Sequence, residues 1–229
     1  MKKGWFISDT HRKHGLLKVP ENIDFVFHGG DESNNKSPYF NVNECLDFLT
    51  WYSSLDIKYK IFVAGNHSTA IGEGLIKRSD IPENIIYLEH ESVEIEGIKI
   101  FGSPYTPEFS TGWSFNVPRK NLKSYWDEVP DNTDILITHG PPKGILDLTQ
   151  YDTRAGANGE SVFQCGCKDL LDAVKRIQPK YHMFGHIHPE KNCPNAGQQI
   201  IQHCKTTFIN AAVVDLDYEI HNNGIVVDI

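Results

Sequence analysis

No apolar run in this 229-residue chain approaches the roughly 20 consecutive residues needed to cross a bilayer. A transmembrane span is therefore not expected. The residues after the basic start Met1-Lys2-Lys3 are apolar only from Trp5 to Ile7 before Ser8 and Asp9 interrupt, too short for the core of a secretory signal. The expectation is a cytoplasmic protein without a membrane partner. Basic charge is also scarce: 22 Lys and Arg stand against 30 Asp and Glu, for a formal charge of −8. That balance argues against binding long nucleic acid and favours small substrates. Bound divalent ions could still gather positive charge in one cleft of an acidic chain and attract a phosphate ester there.

Cysteine is too sparse for a disulfide framework. The five residues Cys45, Cys165, Cys167, Cys193 and Cys204 are odd in number and scattered, as expected of reduced thiols. Cys165-Gly166-Cys167 lacks the second pair that a zinc site requires, so these read as packing thiols near a helix start. Internal repeats and low-complexity tracts are absent too. The length suits one α/β domain spanning residues 1–229.

What the chain does contain is a series of short β runs that end in polar residues. Trp5-Phe6-Ile7 leads into Ser8-Asp9-Thr10-His11, and side chains two apart on an extended strand lean to one side, so Asp9 and His11 could reach one ion. A run from Ile23 to Phe27 ends in His28-Gly29-Gly30-Asp31, and one from Tyr59 to Ala64 ends in Gly65-Asn66-His67. Between them, apolar residues at helical spacing from Asn43 to Leu55 predict a helix with one buried face. Three further strands, Ile85 to Leu88, Ser92 to Ile95 and Ile98 to Phe101, should extend that sheet, the last two as a hairpin at Glu96-Gly97.

A long segment from Gly102 to Lys120, rich in Pro, Gly and aromatics, reads as a functional loop or a packed lid. The strand Asp134 to Thr138 ends at His139, and the stretch from Asp147 to Gln164 has no periodicity and reads as a mobile surface loop. A helix from Lys168 to Ile177 and a strand from Tyr181 to Phe184 then deliver Gly185-His186-Ile187-His188. The β runs Thr206 to Ala211, Val213 to Leu216 and Ile225 to Ile229 should close a second sheet.

Singly, a Gly-Asp turn or a strand-end His is weak evidence of anything. In this order, each after a β run, the set resembles the calcineurin-like metallophosphoesterase superfamily, whose Asp-x-His, Gly-Asp, Gly-Asn-His, lone His and Gly-His-x-His motifs match 9–11, 30–31, 65–67, 139 and 185–188. The stretches Gly102 to Pro107 with Gly112 to Asn116, Asp134 to Pro142, and Thr206 to Ala211 are similar to the brain-type metallophosphoesterase-domain branch.

The resemblance implies an α/β fold with two β-sheets packed as a sandwich and flanked by helices. It also implies a dinuclear site: Asp9, His11, Asp31 and His188 would hold one divalent ion, and Asp31, Asn66, His139 and His186 the other. A shared carboxylate at Asp31 has an independent rationale, because an anion between two cations offsets their repulsion. Mixed imidazole and oxygen ligands suit Mn, Fe, Zn, Co or Ni, with Mn favoured by the resemblance. Some members of the branch lose the first His of Gly-His-x-His; His186 is present here, which implies full metal occupancy.

By the same resemblance His67 lies over the leaving oxygen and protonates it, the alternative being a hydrogen bond to Asp31 or phosphate. The residue after this His is commonly Asp or Glu in the family and here is Ser68, which removes one way of holding the imidazole. Trp113 and Asn116, with Asn66 and His67, are candidate substrate contacts; a flat ring near a phosphate site could stack a nucleobase. Arg154 and Lys143 are candidate phosphate contacts. His28 and His182 read as supporting or core groups, and His14, His90, His203 and His221 as structural. The expected activity is hydrolysis of small phosphodiesters, such as cyclic nucleotides, by metal-activated hydroxide. The alternatives are a phosphomonoesterase or an inactive metal-binding scaffold.

Overall fold

The computed structural model describes residues 1–150, 163–190, 193, 195, 197–200 and 205–229. Its strands in chain order are β1 Lys3–Ile7, β2 Phe25–His28, β3 Tyr59–Phe62, β4 Ile85–Tyr87, β5 Glu91–Ile95, β6 Ile98–Ser103, β7 Thr106–Pro107, β8 Asn116–Val117, β9 Ile135–Thr138, β10 Leu148–Thr149, β11 Phe163–Gln164, β12 Tyr181–Phe184, β13 Gly197–Ile200, β14 Thr207–Asn210 and β15 Ile225–Asp228. The helices are α1 Pro38–Ser54, α2 Thr69–Gly72, α3 Leu122–Asp127 and α4 Lys168–Ile177. None is long and apolar enough to cross a membrane.

Among the described residues, two main sheets form, in the orders β15-β1-β2-β3-β4 and β13-β14-β12-β9-β6-β5. Side-chain alternation along each strand builds three layers of core. Phe6, Phe25, Phe27, Ile61 and Val63 of the first sheet meet Ile100, Ile135, Ile137, Met183 and Ile209 of the second. The intervening residues Trp5, Ile7, Val26 and Phe62 turn outward onto α1 through Phe48, Leu49 and Tyr52. In the second sheet Phe101, Leu136, Phe184 and Phe208 turn the other way, onto α3 and α4 through Trp126, Leu170 and Val174. Strands covered on both faces have no polar side to expose, which is why they read as continuous apolar runs.

The central strands β1, β2, β3 and β4 run parallel, as do β14, β12, β9 and β6, so their carboxyl ends share one edge in each sheet. The β5–β6 hairpin belongs to the second sheet and only β4 extends the first, whereas the sequence pattern suggested that all three would extend one sheet. Ile225 to Ile229 does not close the second sheet either. β15 lies antiparallel on β1 of the first, and residues 213–216 form no strand, only a Val214–Ile220 bridge. Neither choice of partner leaves a local trace, because pairing is made by backbone groups common to all residues.

Helix α1 starts five residues before the predicted Asn43. Pro38 at its first turn suits a helix entry, but Tyr39 and Phe40 are exposed and break the apolar periodicity. The expected loop beyond Asp147 is anchored at its ends by the β10–β11 pair; Asp147 is buried, accepting hydrogen bonds from Gly144 N and Gly166 N. Its centre, residues 151–162, lies outside the described residues.

Candidate metal centre

Each motif residue stands just beyond a parallel strand: Asp9 and His11 after β1, Asp31 after β2, Asn66 and His67 after β3, His139 after β9, and His186 and His188 after β12. Asp9, His11, Asp31 and His186 all adopt left-handed backbone, with φ of 53°, 39°, 55° and 67°. Asp9 and His11 therefore reach the same place through a tight left-handed turn, not through the same-side lean of an extended strand. Such conformations are costly for residues with a Cβ and persist where the surroundings over-determine them.

The side chains converge from both sheets. Asp9, His11 and His188 bring their donor atoms within 4.8 Å of one another, as do Asp31, His139 and His186, and also His11, Asp31 and His67. His188 Nε2 is 3.3 Å from Asp9 Oδ1, while Asp31 Oδ2 is 3.3 Å from His139 Nε2 and 3.9 Å from His11 Nε2. Asn66 Oδ1 is 2.9 Å from His139 Nε2. Asp31 thus touches both groups. Glycine is required beside them, since a Cβ on Gly185 would overlap Asp9 Oδ2 and one on Gly65 would overlap Asp31 and lie 2.6 Å from His139.

Whether these residues suit metal ions can be judged from their outer hydrogen bonds. His11 Nδ1 faces Ser33 O at 3.0 Å, His139 Nδ1 faces Gly29 O at 2.9 Å and His188 Nδ1 faces Asp215 O at 3.0 Å. A carbonyl only accepts, so each Nδ1 carries a proton, and each ring in its neutral form presents its Nε2 lone pair to the centre. His11 Nε2 and His188 Nε2 then face each other at 3.3 Å. Two lone pairs so placed repel unless a cation stands between them, so the donor set fits divalent metal.

The neighbouring carboxylates favour positive charge on two of these rings. Burial opposes charge on His139, yet the Asp31 carboxylate beside it raises its pKa to about 9. Burial likewise opposes charge on His188, and the hydrogen bond to Asp9 overrides it and raises its pKa. Burial pushes Asp9 and Asp31 up, but His188 and His139 respectively pull both below the ordinary carboxylate range. His11 and His186 are dominated by burial and fall to about 3, so they stay neutral.

A cavity of about 290 Å³ opens over the centre. His11, Asp31, Asn66, His67, His186 and His188 form its floor, and Phe109, Trp113, Leu216 and Tyr218 its walls. The rings lie against the imidazoles: Phe109 is 5.2 Å from His186, Trp113 is 4.2 Å from His67, and Tyr218 is 4.6 Å from His11. Trp113 is therefore at the site, held also by Lys36 Nζ at 4.9 Å. Asn116 is not part of the cavity lining; its Oδ1 takes a hydrogen bond from Thr106 at 3.3 Å. Lys143 is exposed and also outside the lining, and Arg154 and His203 lie outside the described residues.

His28 and His182 are fully buried, with Nε2 on Thr10 at 3.1 Å and Thr138 at 2.9 Å, and so support the strand ends from beneath. His14 pairs with Asp47 and His90 with Glu128, away from the centre. Sequence reasoning missed Phe109, Leu216 and Tyr218. Phe109 stood unremarked inside the predicted lid, and residues 213–216 looked like a strand.

A model of the calcineurin-like phosphoesterase family matches residues 3–190. Human Metallophosphoesterase domain-containing protein 1 is 34% identical over 248 residues, covering 97% of this chain and 69% of that protein. A UPF0046 protein of Caenorhabditis elegans is 34% identical over 227 residues, covering 91% of this chain and 74% of that one. Of solved structures, one crystal structure superposes with a TM-score of 0.65 at 16% identity, covering 91% of this chain and 90% of that chain. The structure of TT1561 of Thermus thermophilus gives 0.54 at 12% identity, covering 91% of this chain and 88% of that chain. These two share the fold.

Proposed function

This chain belongs to the calcineurin-like phosphoesterase family, and on that footing we propose that it is a dinuclear metal-dependent phosphodiesterase acting on small diesters such as cyclic or other nucleotide-like esters. Asp9, His11, Asp31 and His188 would hold one ion, and Asp31, Asn66, His139 and His186 the other, with manganese the favoured metal. Paired divalent ions supply positive charge for the phosphoryl oxygens and lower the pKa of water. The chain's own residues do the rest. Asp31 would offset the charge of both ions, and the carbonyls of Ser33, Gly29 and Asp215 keep the Nε2 atoms aimed inward. His67, whose Nε2 is 4.0 Å from Asp31 Oδ2 and whose Nδ1 is 3.1 Å from Asn34 O, is the group to protonate a leaving oxygen.

The preference for a diester rests on the walls. Phe109, Trp113, Leu216 and Tyr218 surround the phosphate position with apolar surface, and no Lys or Arg lines it among the described residues. A monoester dianion carries a second charge that this collar does not meet, whereas a diester carries one charge and two carbon arms. Trp113 would lie along a flat arm such as a base or an aryl ring.

Rates of the manganese-loaded protein on bis(4-nitrophenyl) phosphate and 4-nitrophenyl phosphate test the assignment. Faster turnover of the diester is the expected result. A faster monoester would make the chain a phosphomonoesterase instead.

A further inference from the structure

Glu32 is a carboxylate with no exposure and no cationic partner among the described residues. A buried carboxylate is expensive unless its oxygens are hydrogen-bonded, and here both are. The Ser68 hydroxyl donates to Glu32 Oε2 at 2.6 Å, and the Ser33 hydroxyl donates to Oε1 at 3.0 Å.

Ser68 is more than a partner for Glu32. Its oxygen accepts the Gly65 N–H at 2.8 Å, and Ser68 N donates to Gly65 O at 3.1 Å, closing the turn that carries Asn66 and His67. The other side of the turn is held through the His67 carbonyl, which accepts from Asn41 Nδ2 at 2.8 Å. Glu32 follows Asp31 directly, and Asp31 Oδ1 accepts the His67 N–H at 2.7 Å. One short segment therefore supplies both a carboxylate to the metal centre and a second carboxylate that grips the turn from below.

We infer that Glu32 is a positioning residue: acting through Ser68, it sets the Gly65–Ser68 turn so that Asn66 reaches the centre and His67 lies over the leaving oxygen. The part concerning His67 rests on the function proposed above; the part concerning Asn66 rests on the turn alone. Because the two side chains face each other, exchanging them returns one carboxylate and one hydroxyl to the same space.

The test compares Ser68→Ala, Glu32→Gln, the double exchange Glu32→Ser/Ser68→Glu, and His67→Ala, all manganese-loaded. Turnover is read on bis(4-nitrophenyl) phosphate, which has a good leaving group, and on diphenyl phosphate, which has a poor one. Manganese affinity is read by calorimetry. Each single change at position 32 or 68 should lower kcat by about tenfold or more, and weaken manganese binding, as loss of an outer partner of a metal site does. The loss should be larger on diphenyl phosphate, which a merely less stable enzyme would not show. The double exchange should recover kcat to within about threefold of native. A folded double exchange no faster than the slower single variant would overturn the inference, as would native kcat in both single variants. His67→Ala separates the two readings: equal slowing of both esters sinks His67 as the acid, and the exchange result still decides Glu32.

Discussion

The Nε2 atoms of His11 and His188 face each other at 3.3 Å although 177 residues separate them. Both rings are turned by a proton on Nδ1 that is committed to a backbone carbonyl. That arrangement is unfavourable for two neutral imidazoles alone and favourable around a shared cation.

Removing the carboxylate that touches both donor groups should have the largest effect. Asp31→Asn is expected to lower kcat by about 10² to 10³ and to reduce bound manganese from two ions per chain to one or fewer. Elemental analysis of the purified variant checks the stoichiometry, and native stoichiometry would refute the bridging role.

Gly185→Ala should abolish metal uptake while sparing most of the fold, because its Cβ would overlap Asp9 Oδ2 and Ser8 Oγ at the centre and not in the core. Calorimetric titration with manganese against a circular dichroism spectrum separates the two effects. Normal uptake would show that Asp9 is free to move aside.

Trp113→Ala should raise KM for bis(4-nitrophenyl) phosphate by about tenfold, the worth of one aromatic contact, with kcat changed less. Leu216→Asp should penalise the diester in the same way. An unchanged KM in both variants would remove the apolar collar from the account of specificity.

The buried imidazoles make the metal-free protein acid-sensitive. Burial lowers His182 to about 3 from its ordinary 6.5, and does the same to His28. Between those values the unfolded chain binds protons that the folded chain refuses, so the stability is fully present above about 6.5 and is lost as pH falls toward 3. For His182 alone the loss near pH 5 is on the order of 2 kcal/mol. Melting temperature measured against pH should be flatter in His182→Gln than in the native chain. Parallel curves would mean that His182 titrates normally in the fold.

Much of the site was legible before folding because Trp5, Phe27, Ile61, Leu136 and Met183 belong to strands buried on both faces, and a polar residue that ends such a run is conspicuous. Glu32, Phe109 and Tyr218 were not legible. Glu32 looks like any charge in a polar loop until Ser68 is brought against it, and Phe109 and Tyr218 gain meaning only from the imidazoles they touch.

The amino-acid sequence by itself determined the strands that carry the site and the residue types at their ends: Asp9, His11, Asp31, Asn66, His139, His186 and His188 each follow an apolar run whose local periodicity is readable from neighbours. Only the tertiary structure decided which ends meet, that β15 joins β1, that left-handed turns and not extended strand aim Asp9 and His11, and that Leu216 and Tyr218 wall the cavity. The reason is physical. Periodicity reports whether a side chain is buried, whereas the choice of strand partner is made by backbone hydrogen bonds that are alike for every residue, and by packing between segments far apart in the chain.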